Sequence, residues 1–146
     1  MNTSPPRVAR LELGARSYRL ALPGEGPLVL DGGPTALLAG AGARLREADV
    51  EAAIERAEDW LMPVSRRLAG LELRVRDGGA GLGARLGEAA RLAPQDVEAA
   101  FSAAVDDVAF GRAIDAPCLA AIVLLRELVH HGALTRVVLD APLAGA

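Results

Sequence analysis

The chain has 146 residues, of which 51% are hydrophobic and 24% charged, so it is long enough and apolar enough to bury the core of one domain. All 16 basic residues are arginine, which excludes Schiff-base chemistry and the lysine-bearing phosphate loop. A net charge of −3 gives no overall attraction to nucleic acid or anionic membranes, and the single cysteine excludes an intramolecular disulfide framework.

The N-terminal part of the chain is predicted to form a β-meander. Residues 1–6 contain two prolines and are expected to be a disordered lead-in. Apolar and polar residues alternate over residues 8–13 and again over residues 17–22, with Gly14 between the two runs, which is typical of a β-hairpin. A third short strand is predicted at residues 28–30, between two turns rich in glycine and proline.

The rest of the chain is predicted to alternate helices with strands. Apolar residues recur at intervals of three and four over residues 47–62 and 94–108, which predicts two amphipathic helices. A third helix is bracketed by Asp115 as a candidate N-cap and by Gly132 at its end. Period-two alternation predicts strands at residues 71–76 and 136–139.

These elements favour an α+β fold in which a small antiparallel sheet packs against about three helices. The sheet would contain the N-terminal meander and the two later strands. We expect a single domain over residues 7–140 and a loose tail at residues 141–146. The sequence Asp-Val-Glu-Ala-Ala begins at Asp49 and again at Asp96. An internal strand–loop–helix duplication, over about 28–62 and 71–110, therefore stays open beside a chance likeness of two acidic helix starts.

The third predicted helix has no polar side chain over residues 116–125, so it cannot lie on an open surface. It is either wrapped by the sheet and the other helices or covered in part by another protein chain. The apolar run is shorter than the roughly 20 residues of a membrane span, and the start of the chain lacks an export signal, so we expect a cytoplasmic protein. The candidate interface residues are Leu119, Ile122, Val123, Leu125 and Trp60.

A glycine-rich segment follows the strand predicted at residues 71–76. Within it, Gly79, Gly81 and Ala84 fit the loose Gly-x-Gly-x-x-Ala pattern of dinucleotide-binding folds. No second parallel strand with a ribose-binding acid is predicted about twenty residues further on. A flexible connector between strand and helix is therefore favoured over a nucleotide site.

The histidines and the cysteine form no recognisable metal-binding or catalytic pattern. His130 and His131 lie at the end of the third predicted helix, where adjacent side chains point about 100° apart and cannot form the i, i+4 pair of a helical metal site. They are interpreted as helix-capping residues, and no metal is expected. Cys118 lies within the apolar run and is expected to be a small buried hydrophobe.

One face of the predicted sheet carries many of the charged strand residues. Binding of RNA by such a face requires interleaved aromatic rings, and Tyr18, the only tyrosine, is predicted to point to the other side. Nucleic acid is therefore disfavoured as a partner. The charged residues of this face are Arg10, Glu12, Arg19, Glu72, Arg74 and Arg76.

About half of the chain resembles a known family. A basic hairpin and a short strand are followed by the segment Glu51-Ala-Ala-Ile-Glu-Arg-Ala-Glu-Asp-Trp-Leu61, which leads through Leu68-Ala-Gly-Leu71 into a strand. This order is similar to the N-terminal part of type III secretion C-ring proteins, and the resemblance implies a component of a secretion-type assembly. It carries over no site residues, and residues 78–132 depart from it.

The sequence therefore favours a non-enzymatic protein–protein interaction or assembly module without cofactors, which associates with itself as a homodimer. Few polar side chains, no catalytic constellation and one helix without a hydrophilic face motivate this hypothesis. The alternative is a small-ligand-binding domain or an enzyme with a His/Asp pocket. The candidate pocket residues for that alternative are His130, His131, Asp106 and Tyr18.

Overall fold

A computed structural model describes residues 7–87 and 91–140, and it confirms the α+β class. The expected lead-in and tail, at residues 1–6 and 141–146, lie outside the described residues. The strands are β1 (Val8–Leu13), β2 (Ser17–Ala21), β3 (Leu28–Asp31), β4 (Glu72–Asp77), β5 (Arg91–Leu92) and β6 (Arg136–Leu139). The helices are α1 (Pro34–Leu37), α2 (Glu47–Leu61), α3 (Leu82–Leu86), α4 (Pro94–Ala109) and α5 (Ala116–Gly132), with a 3₁₀ turn at Ser65–Leu68.

The sheet is larger than predicted and mixed rather than antiparallel. Its strand order is β3-β2-β1-β4-β6-β5. The meander β1-β2-β3 is antiparallel as expected, whereas β1 pairs with β4, and β4 with β6, in parallel. Helices lie between β3 and β4 and between β4 and β6 in the chain, and such long helical connections are what parallel neighbours require. The carboxyl ends of β1, β4 and β6 therefore meet at one edge of the sheet.

The two faces of the sheet differ as the alternation predicts. Ala9, Leu11 and Leu13 of β1 are buried on the face that packs against the helices, together with Leu73 and Val75 of β4. On the other face the arginines are exposed, but the carboxylate of β4 at this face is buried. Glu72 is 2% exposed because Arg74 Nε donates to it at 3.0 Å and Arg136 Nε also hydrogen-bonds to it.

Helix α5 lies in the core of this chain. Leu119, Ile122, Val123 and Leu125 are all at most 1% exposed, and the helix packs against α1, α2, α4 and the 3₁₀ turn. These candidate interface residues are thus covered by the chain's own elements. Trp60 is half-buried at the edge of the core. No helix in the described ranges combines the length with the apolar character that a bilayer span requires.

The segment after β4 is more ordered than the expected flexible connector. It contains helix α3, whose Leu82 is fully buried, and residues 88–90 are outside the described part. The two Asp-Val-Glu-Ala-Ala copies occupy equivalent places at the starts of α2 and α4. Asp49 accepts a hydrogen bond from Arg46 N and Asp96 from Ala93 N, each at 2.8 Å, which is the role acids commonly have in a first helical turn. The duplication itself stays a prediction.

Candidate functional site

A cleft of about 330 Å³ lies at the edge of the sheet where β1 and β4 end. Clefts at the carboxyl ends of parallel strands are where open sheets of this kind commonly bind ligands. The turn after β1, the start of α1, the loop before α2, the turn after β4 and the start of α5 surround it. The lining residues are Leu13, Gly14, Ala15, Tyr18, Pro34, Thr35, Leu38, Ala41, Gly42, Leu45, Gly78, Gly79, Ala80, Ala116 and Pro117.

Glycines let the turns around the cleft pack backbone against backbone. Gly78 N donates to Leu13 O at 2.8 Å, and a Cβ on Gly78 would lie only 2.5 Å from that oxygen. Gly33 has a φ of 51°, and a Cβ there would lie 3.1–3.3 Å from the backbone of Ser17. Both positions therefore require glycine for a close approach, and at Gly78, which lines the cleft, the wall is main chain.

The carboxylate at the end of β4 organises the adjoining turn. Asp77 Oδ1 accepts hydrogen bonds from Gly79 N at 3.0 Å and Ala80 N at 2.6 Å, and Asp77 Oδ2 accepts one from Leu82 N at 2.9 Å. With both oxygens occupied by backbone donors, this carboxylate folds the turn into the start of α3. It is already engaged and is not free to act as a general base at the cleft.

The first turn of α5 contributes unpaired donors to the cleft. A helix leaves its first N–H groups without partners inside the helix, and Pro117 has no N–H at all. Asp115, the N-cap residue, makes no hydrogen bond to them with its side chain. The positive end of a 17-residue helix therefore faces the cleft with the Ala116 and Cys118 amides uncapped by that side chain.

Tyr18 is the one buried polar side chain that lines the cleft. It is fully buried, and among the described residues its hydroxyl has no hydrogen-bond partner. Burial, and secondarily the charge of Asp77, raises the pKa of Tyr18 far above its usual value, so the phenol stays protonated. A buried donor without an acceptor is costly, so this hydroxyl is a polar group that the described residues leave unsatisfied.

The candidate pocket residues do not come together. Tyr18 lies at the cleft, but His130 and His131 are at the opposite end of α5, and Asp106 is exposed on α4. Cys118 is buried as expected, and burial raises the pKa of its thiol, which makes it a poor nucleophile at neutral pH. The glycines that line the cleft, Gly14, Gly42, Gly78 and Gly79, come after β1, α1 and β4, so the sequence signal was divided among three distant segments.

Solved structures similar to this fold include Ppx/GppA enzymes. No protein-family model and no curated protein sequence matches the chain. A Ppx/GppA enzyme from Aquifex aeolicus has a TM-score of 0.68 at 15% identity over 93% of this chain, and a type II variant of an Aquifex aeolicus Ppx/GppA phosphatase has 0.66 at 13%. An exopolyphosphatase-like protein has a TM-score of 0.66 at 11% identity. The chain spans about half the length of these structures, at 54%, 54% and 55% respectively.

These comparisons correct the functional interpretation drawn from the sequence. At such low identity they show the fold alone, and the fold is one found in phosphatase enzymes. The expectation of a non-enzymatic assembly module is therefore wrong, and so is the one of a secretion-type component. The apolar helix that motivated the assembly module is explained by burial within the chain itself.

Proposed function

We propose that this chain is a phosphoanion-binding domain that holds a phosphate group of its ligand in the cleft between the β1 turn, the β4 turn and the start of α5. The observation that carries the proposal is the buried, unpartnered hydroxyl of Tyr18 in a cleft that also receives the positive end of α5. The similar structures include Ppx/GppA phosphatases and an exopolyphosphatase-like protein, whose names favour phosphate as the anion.

The chemistry of the cleft supports an anion as the occupant. Uncapped amides at a helix start, together with the helix dipole, favour a negatively charged group. The Tyr18 phenol adds a neutral donor, which suits an acceptor oxygen. Gly14, Gly42, Gly78 and Gly79 leave parts of the wall without side chains, and a compact tetrahedral anion can reach the main chain there.

The cleft supports binding better than hydrolysis by this chain alone. Among the described lining residues only Tyr18 and Thr35 carry a polar side-chain group. Hydrolysis of a phosphate requires a positioned water and usually metal-binding carboxylates. No carboxylate is among those lining residues, and Asp77 behind the turn is already occupied.

The experiment is a titration of the full chain with inorganic phosphate, pyrophosphate and a short polyphosphate, followed by amide NMR. We expect shifts centred on Ala15, Gly79, Ala116 and Cys118, which lie in or beside the cleft wall. Tyr18→Phe keeps the ring and removes only the hydroxyl. Because a hydrogen bond to a charged group contributes about 1.5–3 kcal/mol, affinity should fall roughly tenfold or more.

Two controls distinguish anion binding in the cleft from unspecific binding to the positively charged surface. Ser102→Ala removes an exposed hydroxyl on α4, away from the cleft, and should leave the affinity unchanged. Binding to the exposed arginine face of the sheet would instead shift the amides of β1 and β4 near Arg10 and Arg74 and would weaken strongly with salt. Shifts confined to that face, or Tyr18→Phe binding as tightly as the parent, would refute the proposal.

A further inference from the structure

A second cluster of polar groups lies between α2 and α5, at the other end of α5 from the cleft. Glu127 and His131 are one helical turn apart on α5 and share a face. Glu58 reaches the same point from α2. One ligand atom from each of the three side chains lies within 4.8 Å of the other two. His131 Nε2 is 3.0 Å from Glu127 Oε2 and 3.5 Å from Glu58 Oε1.

Glu127 is the unusual member of this cluster, since its carboxylate is fully buried. Its Oε1 accepts a hydrogen bond from Arg126 Nη1 at 2.9 Å. Its Oε2 has no hydrogen-bond partner among the described residues, although His131 Nε2 is close. A buried oxygen without a hydrogen-bond partner is unfavourable, so Oε2 is an open ligand position beside the Oε1 that Arg126 engages.

We propose that Glu58, Glu127 and His131 bind a divalent first-row transition-metal ion, for which Zn²⁺ is the representative. An imidazole nitrogen with two carboxylate oxygens is a donor set that suits such ions better than Mg²⁺ or Ca²⁺, which prefer oxygen ligands alone. Zinc bonds of about 2.0–2.1 Å in a tetrahedron place neighbouring ligand atoms about 3.3 Å apart. The separations of 3.0 and 3.5 Å from His131 Nε2 lie on either side of that value.

The site is half-open, which suits the entry of an ion. The side chains of His131 and Glu58 are 43% and 44% exposed, so an ion and one or two water ligands reach the cluster from solvent. Glu127 forms the buried floor. The ion would join α2 to α5 near their carboxyl ends. Ala116, at the cleft, is 15 residues from His131, about 22 Å along the helix, so this site is separate from the proposed anion site.

A proton is the competing occupant of the cluster. If His131 carries two protons, its imidazolium pairs with both carboxylates and leaves no position for a metal. Metal binding needs the neutral imidazole and releases a proton when the ring was charged. The two occupants are therefore distinguished by direct titration with the metal ion.

The test is calorimetric titration of the full chain with Zn²⁺, after treatment with a chelator and without a polyhistidine tag. We expect one ion per chain and a higher midpoint of thermal unfolding with the metal. His131→Ala and Glu127→Gln should each weaken Zn²⁺ binding at least tenfold. His130→Ala is the matched control, because the neighbouring histidine lies outside the cluster, and it should bind as the parent does. Millimolar Mg²⁺ should not displace the ion.

A second variant keeps the test decisive if Glu127→Gln fails to fold. Glu58→Gln changes an exposed residue on α2 and should also weaken binding at least tenfold. Co²⁺ titration gives a visible absorption spectrum whose intensity reports four-coordinate ligation, and the spectrum should be lost in His131→Ala. The proposal is overturned if the parent binds no Zn²⁺, if His130→Ala loses as much affinity as His131→Ala, or if Glu58→Gln and Glu127→Gln both bind as the parent does.

Discussion

The turn after β4 offers the sharpest test of the fold, because two glycine substitutions within it should have opposite effects. In Gly78→Ala the added Cβ would lie 2.5 Å from Leu13 O, and real Cβ atoms essentially never come closer than 3.0 Å to such an atom. The turn must therefore move away from β1, which breaks the hydrogen bond from Gly78 N to Leu13 O. In Gly83→Ala the Cβ meets nothing within 4 Å, and the residue lies in helix α3.

The magnitudes follow from these contacts. Loss of the hydrogen bond should lower the free energy of unfolding by about 0.5–1.5 kcal/mol, and the steric displacement should lower it by about 1–3 kcal/mol. Alanine also restricts the unfolded chain more than glycine does, which offsets about 0.4–1 kcal/mol of this destabilisation. The free energy of unfolding should therefore fall by about 2–3 kcal/mol in Gly78→Ala. With about 2.1 cal/mol/K of unfolding entropy per residue, that is a decrease of roughly 6–10 °C in Tm for 146 residues. Gly83→Ala should raise Tm by about 1–3 °C.

Circular dichroism, recorded during heating and during urea titration, measures the Tm and the free energy of unfolding of both variants and of the parent. Gly78→Ala should also lose phosphate affinity, since the displaced turn forms part of the cleft wall. Equal behaviour of the two variants would mean that residues 78–83 form the flexible connector expected from the sequence. In that case the packed glycine turns would not be the basis of the site.

Three further outcomes are expected. Leu125→Ala should lower the free energy of unfolding by about 2–5 kcal/mol in urea titrations, whereas a surface leucine would change it by less than about 0.5 kcal/mol. Without phosphate, Tyr18→Phe should be neutral or up to about 1 kcal/mol more stable in thermal unfolding, because it removes an unpartnered buried hydroxyl; a marked loss would mean that the hydroxyl is already bonded. Burial raises the pKa of Glu72, but Arg74 and Arg136 more than offset this, so its pKa is lowered. The contribution of ionised Glu72 to the free energy of unfolding should be complete above about pH 4.3 and should be lost as the pH falls through the lowered pKa. The difference in free energy of unfolding between the parent and Glu72→Gln, measured by urea titration, should therefore shrink as the pH is lowered through that range.

Local patterns predicted most elements, but not how the later strands pair. Alternation placed β1, β2 and β4, and the three- and four-residue spacing placed α2, α4 and α5. The direction of β4 beside β1 depends on the connection through α2, which no local pattern records. Short elements such as α1 and β5 hold too few residues to show a period. The expected antiparallel sheet was wrong for that reason.

The sequence predicted the features of the two candidate sites to different degrees. The inward direction of Tyr18 follows from alternation, but its orphaned hydroxyl depends on what packs around it in three dimensions. The cleft wall comes from five separated segments, and most of its lining residues are apolar or glycine, so no side-chain motif marks it. The pair Glu127 and His131 was visible as an i, i+4 spacing on a predicted helix. It was missed because the two adjacent histidines were considered together, and the glutamate one turn earlier was not.

Helix α5 explains why the proposed anion site and the proposed metal site lie at its two ends. Its middle is apolar on every side because the sheet, α1, α2 and α4 surround it, so polar chemistry is confined to its two ends. The start carries unpaired N–H groups and attracts an anion. The end carries the negative pole of the helix and the buried Glu127, and both favour a cation. A single buried helix thus attracts opposite charges at its two ends, and a phosphate at one and a metal ion at the other should stabilise it independently, with additive increases in Tm.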